Sequence, residues 1–177
     1  MCEIGVADGG SLELWQALFP HGLVVGVDDN SYTTRRVTFG DLPAIHTGAT
    51  WPPGTTKIVA SQDDSALPRR LQAVASSFDL IVDDASHNGA LTRRTWELLW
   101  TLVAPGGWYV IEDWQVALNG SDRSMLDTVQ GFLRLLDSTA GEVAAIEYQY
   151  GLAILRRRPA ISQSIHGSIA SRTGGTK

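Results

Sequence analysis

Short apolar runs alternate along this chain with segments whose apolar residues recur every three or four positions. The spacing of Leu91, Thr95, Leu98 and Leu102 is typical of one face of a helix. Five short runs with no helical period predict buried strands, and they occupy residues 1–6, 23–28, 57–61, 78–84 and 108–113. Because strands and helices alternate, the fold class is α/β, with a doubly wound Rossmann-like sheet that is mostly parallel.

Helical periodicity and turn residues complete the predicted element order. The predicted helices span residues 12–18, 68–76, 88–103 and 124–138, with only a weak helical signal at 33–37. Residues 143–150 and 152–157 flank Gly151 and predict a closing antiparallel hairpin. The Ser-, Gly- and Thr-rich stretch 159–177 lacks any period and predicts a disordered tail behind a single folded domain, residues 1–158.

Composition narrows the class of protein. The 177 residues are 44% hydrophobic and 19% charged with a formal net charge of -5, which is typical of one soluble domain and predicts neither a membrane span nor a nucleic-acid partner. Cys2 is the only cysteine, so an intramolecular disulfide framework and a cysteine-based structural zinc site are excluded, and a cytoplasmic location is expected. The chain begins almost directly with a strand, so it is either a minimal version of this architecture or a fragment that lacks an N-terminal segment.

Polar residues gather where the predicted strands end. In an open parallel sheet, ligands bind beyond the carboxyl ends of the strands, close to the point where strand order reverses. The residues at those ends are Asp8 to Ser11, Asp28, Gln62, Asp63, Asp83, Asp84, His87, Glu112 and Asp113. Loop starts favour Asp in any fold, which is the alternative explanation. A set of carboxylates without cysteine favours Mg²⁺ or Ca²⁺ over zinc.

The first glycine-rich turn predicts a nucleoside ligand. Gly5, Gly9 and Gly10 do not have the spacing of the dinucleotide fingerprint, and no Gly-Lys-Ser/Thr follows to hold a triphosphate. Asp28 follows this turn by about twenty residues, a position suited to accept hydrogen bonds from ribose hydroxyls. A helix cap is the alternative role for Asp28.

These segments resemble a known family. Residues 3–12 resemble the first motif of class I S-adenosylmethionine-dependent methyltransferases, and residues 24–28 resemble their second. Residues 61–63, 81–87 and 105–113 more narrowly resemble the metal-dependent sugar O-methyltransferases of macrolide biosynthesis and the related cephalosporin-hydroxylase-type group. The resemblance covers roughly residues 2–115, with the motifs in the expected order.

The resemblance implies roles for individual residues. His87 corresponds to the general base and Leu91 stands where relatives often carry a second histidine, which puts details of the metal or acceptor site in question. The implied Mg²⁺ ligands are Asp84, Glu112 and Asp113. The implied S-adenosylmethionine-binding residues are Glu3, Gly5, Gly9, Ser11, Asp28, Gln62, Asp63 and Asp83. Trp114 is the aromatic residue best placed to stack on an acceptor ring.

The leading hypothesis is a Mg²⁺-assisted O-methyltransferase that acts on a small glycosylated or polyhydroxylated metabolite. A binding module without catalytic activity, or a truncated remnant, is the alternative. A dinucleotide-dependent dehydrogenase is disfavoured by the glycine spacing. A homo-oligomer is possible on this reasoning, because a neighbouring subunit could supply an acceptor lid.

Overall fold

The computed structural model describes residues 1–31, 51–116, 123–136 and 142–160. The strands are β1 (Cys2–Ile4), β2 (Val25–Asp28), β3 (Thr56–Val59), β4 (Phe78–Asp83), β5 (Val103–Glu112), β6 (Val143–Gln149) and β7 (Leu152–Arg157). The α-helices are α1 (Gly10–Leu18), α2 (Leu67–Gln72), α3 (Gly89–Leu99) and α4 (Ser124–Gly131). Two 3₁₀ turns, Trp100–Leu102 and Phe132–Leu135, extend α3 and α4.

The strands form one seven-stranded sheet in the order β3-β2-β1-β4-β5-β7-β6. Strands β1 to β5 pair in parallel, whereas β7 runs antiparallel to both β5 and β6. The predicted fold class is therefore confirmed, including the antiparallel hairpin at the C-terminal end. Strand order reverses between β1 and β4, so a ligand cleft is expected above these two strands.

Burial explains why the central strands contain apolar residues in continuous runs. All residues of β1 and β2 are buried, as expected for parallel strands that are covered on both faces. The main core packs Tyr109, Phe78 and Phe132 among mostly aliphatic side chains, and a second, smaller cluster contains Val6, Leu12 and Val24. Trp96 and Trp100 belong to the main core, whereas Trp108 is 39% exposed beneath the Arg156 guanidinium.

Several elements differ in extent from the sequence prediction. Strand β5 starts at Val103 and includes the Pro105-Gly106-Gly107 segment, whereas the predicted strand starts only at residue 108. The β4–β5 register shifts between Phe78 and Leu80, and this irregularity accommodates the proline without ending the strand. Helix α2 ends at Gln72 because its last turn tightens, with Val74 N donating to Leu71 O at 2.9 Å.

The remaining sequence expectations concern the chain ends and loops. The weak helix at 33–37 and almost all of the predicted tail lie outside the described residues. None of the helices in the described ranges is both long enough and apolar enough to cross a bilayer.

Candidate active site

A cleft of about 670 Å³ opens above the carboxyl ends of the parallel strands, where the strand order reverses. Its volume lies within the usual range for small-molecule sites. The lining residues come from the segments after β1 to β5: Ile4, Gly5, Val6, Ala7, Asp8, Ser11, Val27, Asp28, Asp29, Ser31, Ala60, Ser61, Gln62, Asp84, Ala85, Ser86, His87, Leu91 and Asp113. The sequence-predicted edge of the sheet is thus the edge that holds the cleft.

The lining of this cleft is strongly acidic. Five of the lining residues are aspartates, and the described part of the lining contains no Lys or Arg. Such a surface repels phosphate groups and attracts cationic ones. Asp8 was among the strand-end residues predicted to lie near a ligand, whereas Asp29 was not predicted, although it directly follows Asp28.

Asp28 holds together the turn that forms one wall of the cleft. Its Oδ2 accepts hydrogen bonds from Val6 N at 2.9 Å and Ala7 N at 3.1 Å, and its Oδ1 accepts from Asn30 N at 2.6 Å. The carboxylate thereby joins the end of β2 to the glycine-rich turn after β1. Each oxygen has a second lone pair, so these contacts leave acceptor capacity toward the cleft.

Gly5 allows two strand ends to approach closely. Its φ is +86°, and a Cβ placed there would lie 2.4 Å from Asp84 O and 2.5 Å from Ala85 Cα. The backbone of the β4–α3 loop therefore packs directly on this glycine. Gly5 lines the cleft, as predicted, and it also determines how near the Asp84 segment can come to β1.

Asp84, His87 and Asp113 bring ligand atoms together at the end of β4 and β5. One such atom from each residue lies within 4.8 Å of the other two, and His87 Nε2 is 3.9 Å from Asp84 Oδ1. Asp113 is held by its backbone N, which donates to Gly151 O at 2.8 Å, and by Gln115 Nε2, which donates to Asp113 Oδ1 at 2.9 Å. The two carboxylates supply the oxygen ligands that Mg²⁺ prefers, so the acids present fit this cation, and the His87 imidazole lies beside them, where it can accept a proton.

Glu112 lies close to this cluster but does not line the cleft. Burial raises its pKa, and the negative charges of Asp84 and Asp113 raise it further. The pKa of Asp84 is also raised, first by burial, while His87 acts in the opposite direction. The acids therefore crowd one another, and a bound cation would relieve that repulsion.

Glu3 and Asp83 lie in the floor of the site rather than in its lining. Glu3 is 2% exposed and accepts a 2.8 Å hydrogen bond from Ser11 Oγ, and burial raises its pKa to about 7. Asp83 is equally buried, and its Oδ2 accepts from Tyr109 Oη at 3.2 Å. Burial also raises the pKa of Asp83 to about 7. Ser11 alone of these residues reaches the cleft.

The other predicted cofactor residues divide between the lining and its surroundings. Gln62 lines the cleft, whereas Gly9 and Asp63 do not. Gly9 is the N-cap of α1, with φ +92°, and Asp63 accepts a 2.6 Å hydrogen bond from Ser61 Oγ. Trp114 is directed to the hairpin, where its Nε1 donates to Gln149 O at 2.9 Å, so its predicted stacking role has no support in this arrangement.

Backbone strain within the described residues is concentrated at the same edge. Four non-glycine residues have positive φ: Ala7 at 48°, Asn30 at 60°, His87 at 51° and Asp113 at 52°. They follow β1, β2, β4 and β5 respectively, and two belong to the metal-ligand cluster. Left-handed backbone at non-glycine residues is uncommon and tends to occur where a site imposes it.

Comparisons with known proteins identify the family of this chain and its structural neighbours. A family model described as a methyltransferase domain matches residues 2–114. The 8-demethyl-8-alpha-L-rhamnosyl tetracenomycin-C 2'-O-methyltransferase of Streptomyces olivaceus is 32% identical, over 95% of this chain and 47% of that protein. The L-olivosyl-oleandolide 3-O-methyltransferase of Streptomyces antibioticus is 36% identical, over 63% of this chain and 27% of that protein.

A similar solved structure is the MycE methyltransferase from the mycinamycin biosynthetic pathway in complex with Mg, SAH and mycinamycin VI. It superposes with a TM-score of 0.66 at 21% identity and covers 89% of this chain and 44% of that one. At this identity the likeness shows the fold. The present chain spans less than half the length of each of these three proteins.

Proposed function

This chain belongs to the methyltransferase domain family, and we propose that it transfers the methyl group of S-adenosylmethionine to a hydroxyl group of a small glycosylated or polyhydroxylated metabolite. The transfer would be assisted by Mg²⁺. The relatives named above act on sugars attached to larger natural products, according to their names. They support a hydroxyl acceptor of this class.

The observation that carries the proposal is the acidic cleft at the strand-order reversal. S-adenosylmethionine combines a nucleoside with a positively charged sulfonium, an ammonium group and a carboxylate, so its net charge is positive. A cleft lined by five aspartates, with no Lys or Arg in its described part, attracts these cationic groups. The same charge disfavours the pyrophosphate of a dinucleotide, which needs backbone N–H groups or cations around it. Cofactor charge and cleft charge therefore match for S-adenosylmethionine and not for NAD.

We assign the cofactor to the part of the cleft formed after β1, β2 and β3. Asp28 has free acceptor capacity for the ribose hydroxyls, and Gly5 and Ser11 lie where the methionine part would pass. Gln62, which also lines the cleft, would face the adenine. Glu3, Gly9, Asp63 and Asp83 support this surface from outside the lining, so we propose indirect roles for them.

The acceptor hydroxyl would lie at the Asp84, His87 and Asp113 end. Asp84 and Asp113, with Glu112 beside them, would hold a divalent cation, which lowers the pKa of a bound hydroxyl group. His87 Nε2 would accept the hydroxyl proton. As the oxygen–methyl bond forms, the sulfur–methyl bond breaks and leaves neutral S-adenosylhomocysteine, so no covalent enzyme intermediate is needed.

Calorimetric titration with S-adenosylmethionine tests the proposal first, with and without Mg²⁺ and with NAD as the control ligand. Binding of S-adenosylmethionine without binding of NAD is the expected result. Incubation with glycosylated acceptors and mass spectrometry for a gain of one methyl group then tests transfer. Binding of NAD with no affinity for S-adenosylmethionine would overturn the assignment.

A binding module without transferase activity is the second candidate, and one observation favours it. Trp114, the aromatic residue predicted to stack on an acceptor ring, bonds Gln149 in the hairpin instead. Cofactor binding without methylation of any glycosylated acceptor would support this second candidate. A cytoplasmic location and a homo-oligomeric state stay predictions, to be checked by fractionation and light scattering.

A further inference from the structure

A buried polar contact connects the adenine side of the cleft to the loop that carries the acids. Gln62 is 7% exposed and Thr95, on α3, is fully buried. Gln62 Nε2 donates to Thr95 Oγ1 at 2.8 Å, and Ser86 N donates to Gln62 Oε1 at 3.1 Å. The side chain amide thus joins α3 to the loop after β4.

The orientation of this amide is fixed by its partners. A backbone N–H can only donate, so the oxygen of Gln62 must face Ser86 and its nitrogen must face Thr95. The Thr95 hydroxyl donates in turn to Leu91 O at 2.9 Å, which leaves its lone pairs for Gln62. Buried polar groups that are satisfied in this way restrict a structure to one arrangement.

Ser86 lies between Asp84 and His87 and directly precedes the histidine. Asp84 N donates to Ile4 O at 2.8 Å, which fixes one end of the loop, and the Asn88 side chain caps α3 at the other. His87 between them has a φ of +51°, a conformation that needs support from its surroundings. The bond from Ser86 to Gln62 provides support at the centre of the loop.

We propose that Gln62 is a positioning residue, which acts through Ser86 to hold Asp84 and His87 in their relative geometry, in addition to lining the adenine side of the cleft. The hydrogen bond to Thr95 Oγ1 holds the Gln62 amide in the orientation that this role needs. The inference rests on the proposed function as far as it concerns the metal and the base. It predicts that loss of the Gln62–Thr95 contact weakens the Asp84 end of the cleft and spares cofactor binding.

Thr95→Val is the sharpest variant, because it conserves shape and removes the hydroxyl without touching the cleft lining. Thr95→Ser retains the hydroxyl and should restore the wild-type behaviour. Thr92→Val is the matched control, since Thr92 is also buried on α3 but does not bond Gln62. Gln62→Leu removes the hydrogen bonds to both Thr95 and Ser86.

Three measurements on the full chain decide the matter: hydrogen exchange at the Ser86 amide, Mn²⁺ affinity by electron paramagnetic resonance, and calorimetry with S-adenosylmethionine. In Thr95→Val we expect faster exchange at Ser86 and Mn²⁺ binding weaker by about tenfold or more, as for other residues that orient metal ligands. Affinity for S-adenosylmethionine should stay within about twofold of wild type, because no residue of the lining is changed.

The outcomes separate this inference from the proposed function. Unchanged Ser86 exchange and unchanged Mn²⁺ affinity in both Thr95→Val and Gln62→Leu would overturn the positioning role. Loss of S-adenosylmethionine affinity alone in Gln62→Leu would also overturn it, and would make Gln62 purely an adenine-binding residue. If the wild-type chain binds no Mn²⁺, the proposed metal site is wrong, and Ser86 exchange still decides whether Gln62 holds the loop.

Discussion

Replacement of Gly5 by alanine should be far more damaging than its small size suggests. A Cβ at Gly5 would meet Asp84 O at 2.4 Å and Ala85 Cα at 2.5 Å, and both are backbone atoms that cannot rotate away. The left-handed backbone at φ +86° adds a steric cost of about 1–2 kcal/mol for any residue with a Cβ. Forcing a methyl group into a packed contact costs a further 1–3 kcal/mol or so. We therefore expect Gly5→Ala to lower the free energy of unfolding by about 2–5 kcal/mol.

Gly106 offers a matched control for this prediction. Its φ of +83° is nearly the same, but the nearest atom to an added Cβ is Pro159 Cγ at 4.0 Å. Gly106→Ala should therefore lower the free energy of unfolding only by the cost of the left-handed backbone, about 1–2 kcal/mol. Urea unfolding of both variants at unchanged m-value measures the difference. Equal losses in the two variants would refute the argument that close approach to Asp84 sets the requirement for glycine at position 5.

Three further predictions concern the acids and the histidine. Asp84→Asn should abolish measurable Mn²⁺ binding. It should also slightly raise the melting temperature of the metal-free protein, because it removes a negative charge that lies close to Glu112. A lower melting temperature would contradict the repulsion between these acids. Burial raises the pKa of Glu3 from 4.5 in the unfolded chain to about 7 in the folded chain. The unfolded chain therefore loses this proton at a lower pH than the folded chain does. The free energy of unfolding falls as the pH rises from about 4.5 to 7. The loss should be of the order of 3 kcal/mol, and Glu3→Gln should flatten this part of the stability curve in urea titrations at several pH values. His87→Ala should lose methyl transfer while S-adenosylmethionine affinity by calorimetry is unchanged, and full activity in this variant would exclude His87 as the base.

The position of the site could be predicted from the sequence, because the carboxyl ends of parallel strands all lie at the same edge of a sheet. The runs that end at Asp28, Asp83 and Glu112 placed their acids at this edge, and the structure brings Asp84, His87 and Asp113 together there. Which acid faces the cleft was harder to predict. Successive side chains of a strand point to opposite faces, so Asp83 is buried against Tyr109 while Asp84, beyond the strand end, faces the cleft.

Contacts between residues distant in sequence account for most of what the sequence could not show. The amide of Gln62 is engaged by residues 24 and 33 positions away, and no local pattern encodes those partners. Trp114 adjoins the acids in sequence, but a hydrogen bond to Gln149 directs it toward the hairpin. The extent of β5 depended on a register shift against β4, which hydrophobic periodicity alone does not reveal.

The acids at the cleft edge connect stability with binding. Glu3, Asp84 and Glu112 each have a raised pKa, and in every case burial is the first cause and a neighbouring carboxylate adds to it. Such an arrangement lowers the stability of the ligand-free chain, since like charges and desolvated carboxylates are both unfavourable. A ligand that brings positive charge removes part of that cost at the moment it binds. The same carboxylates therefore make the ligand-free site unfavourable and make it selective for cationic partners. This explains why strain and negative charge are both concentrated at this edge of the sheet.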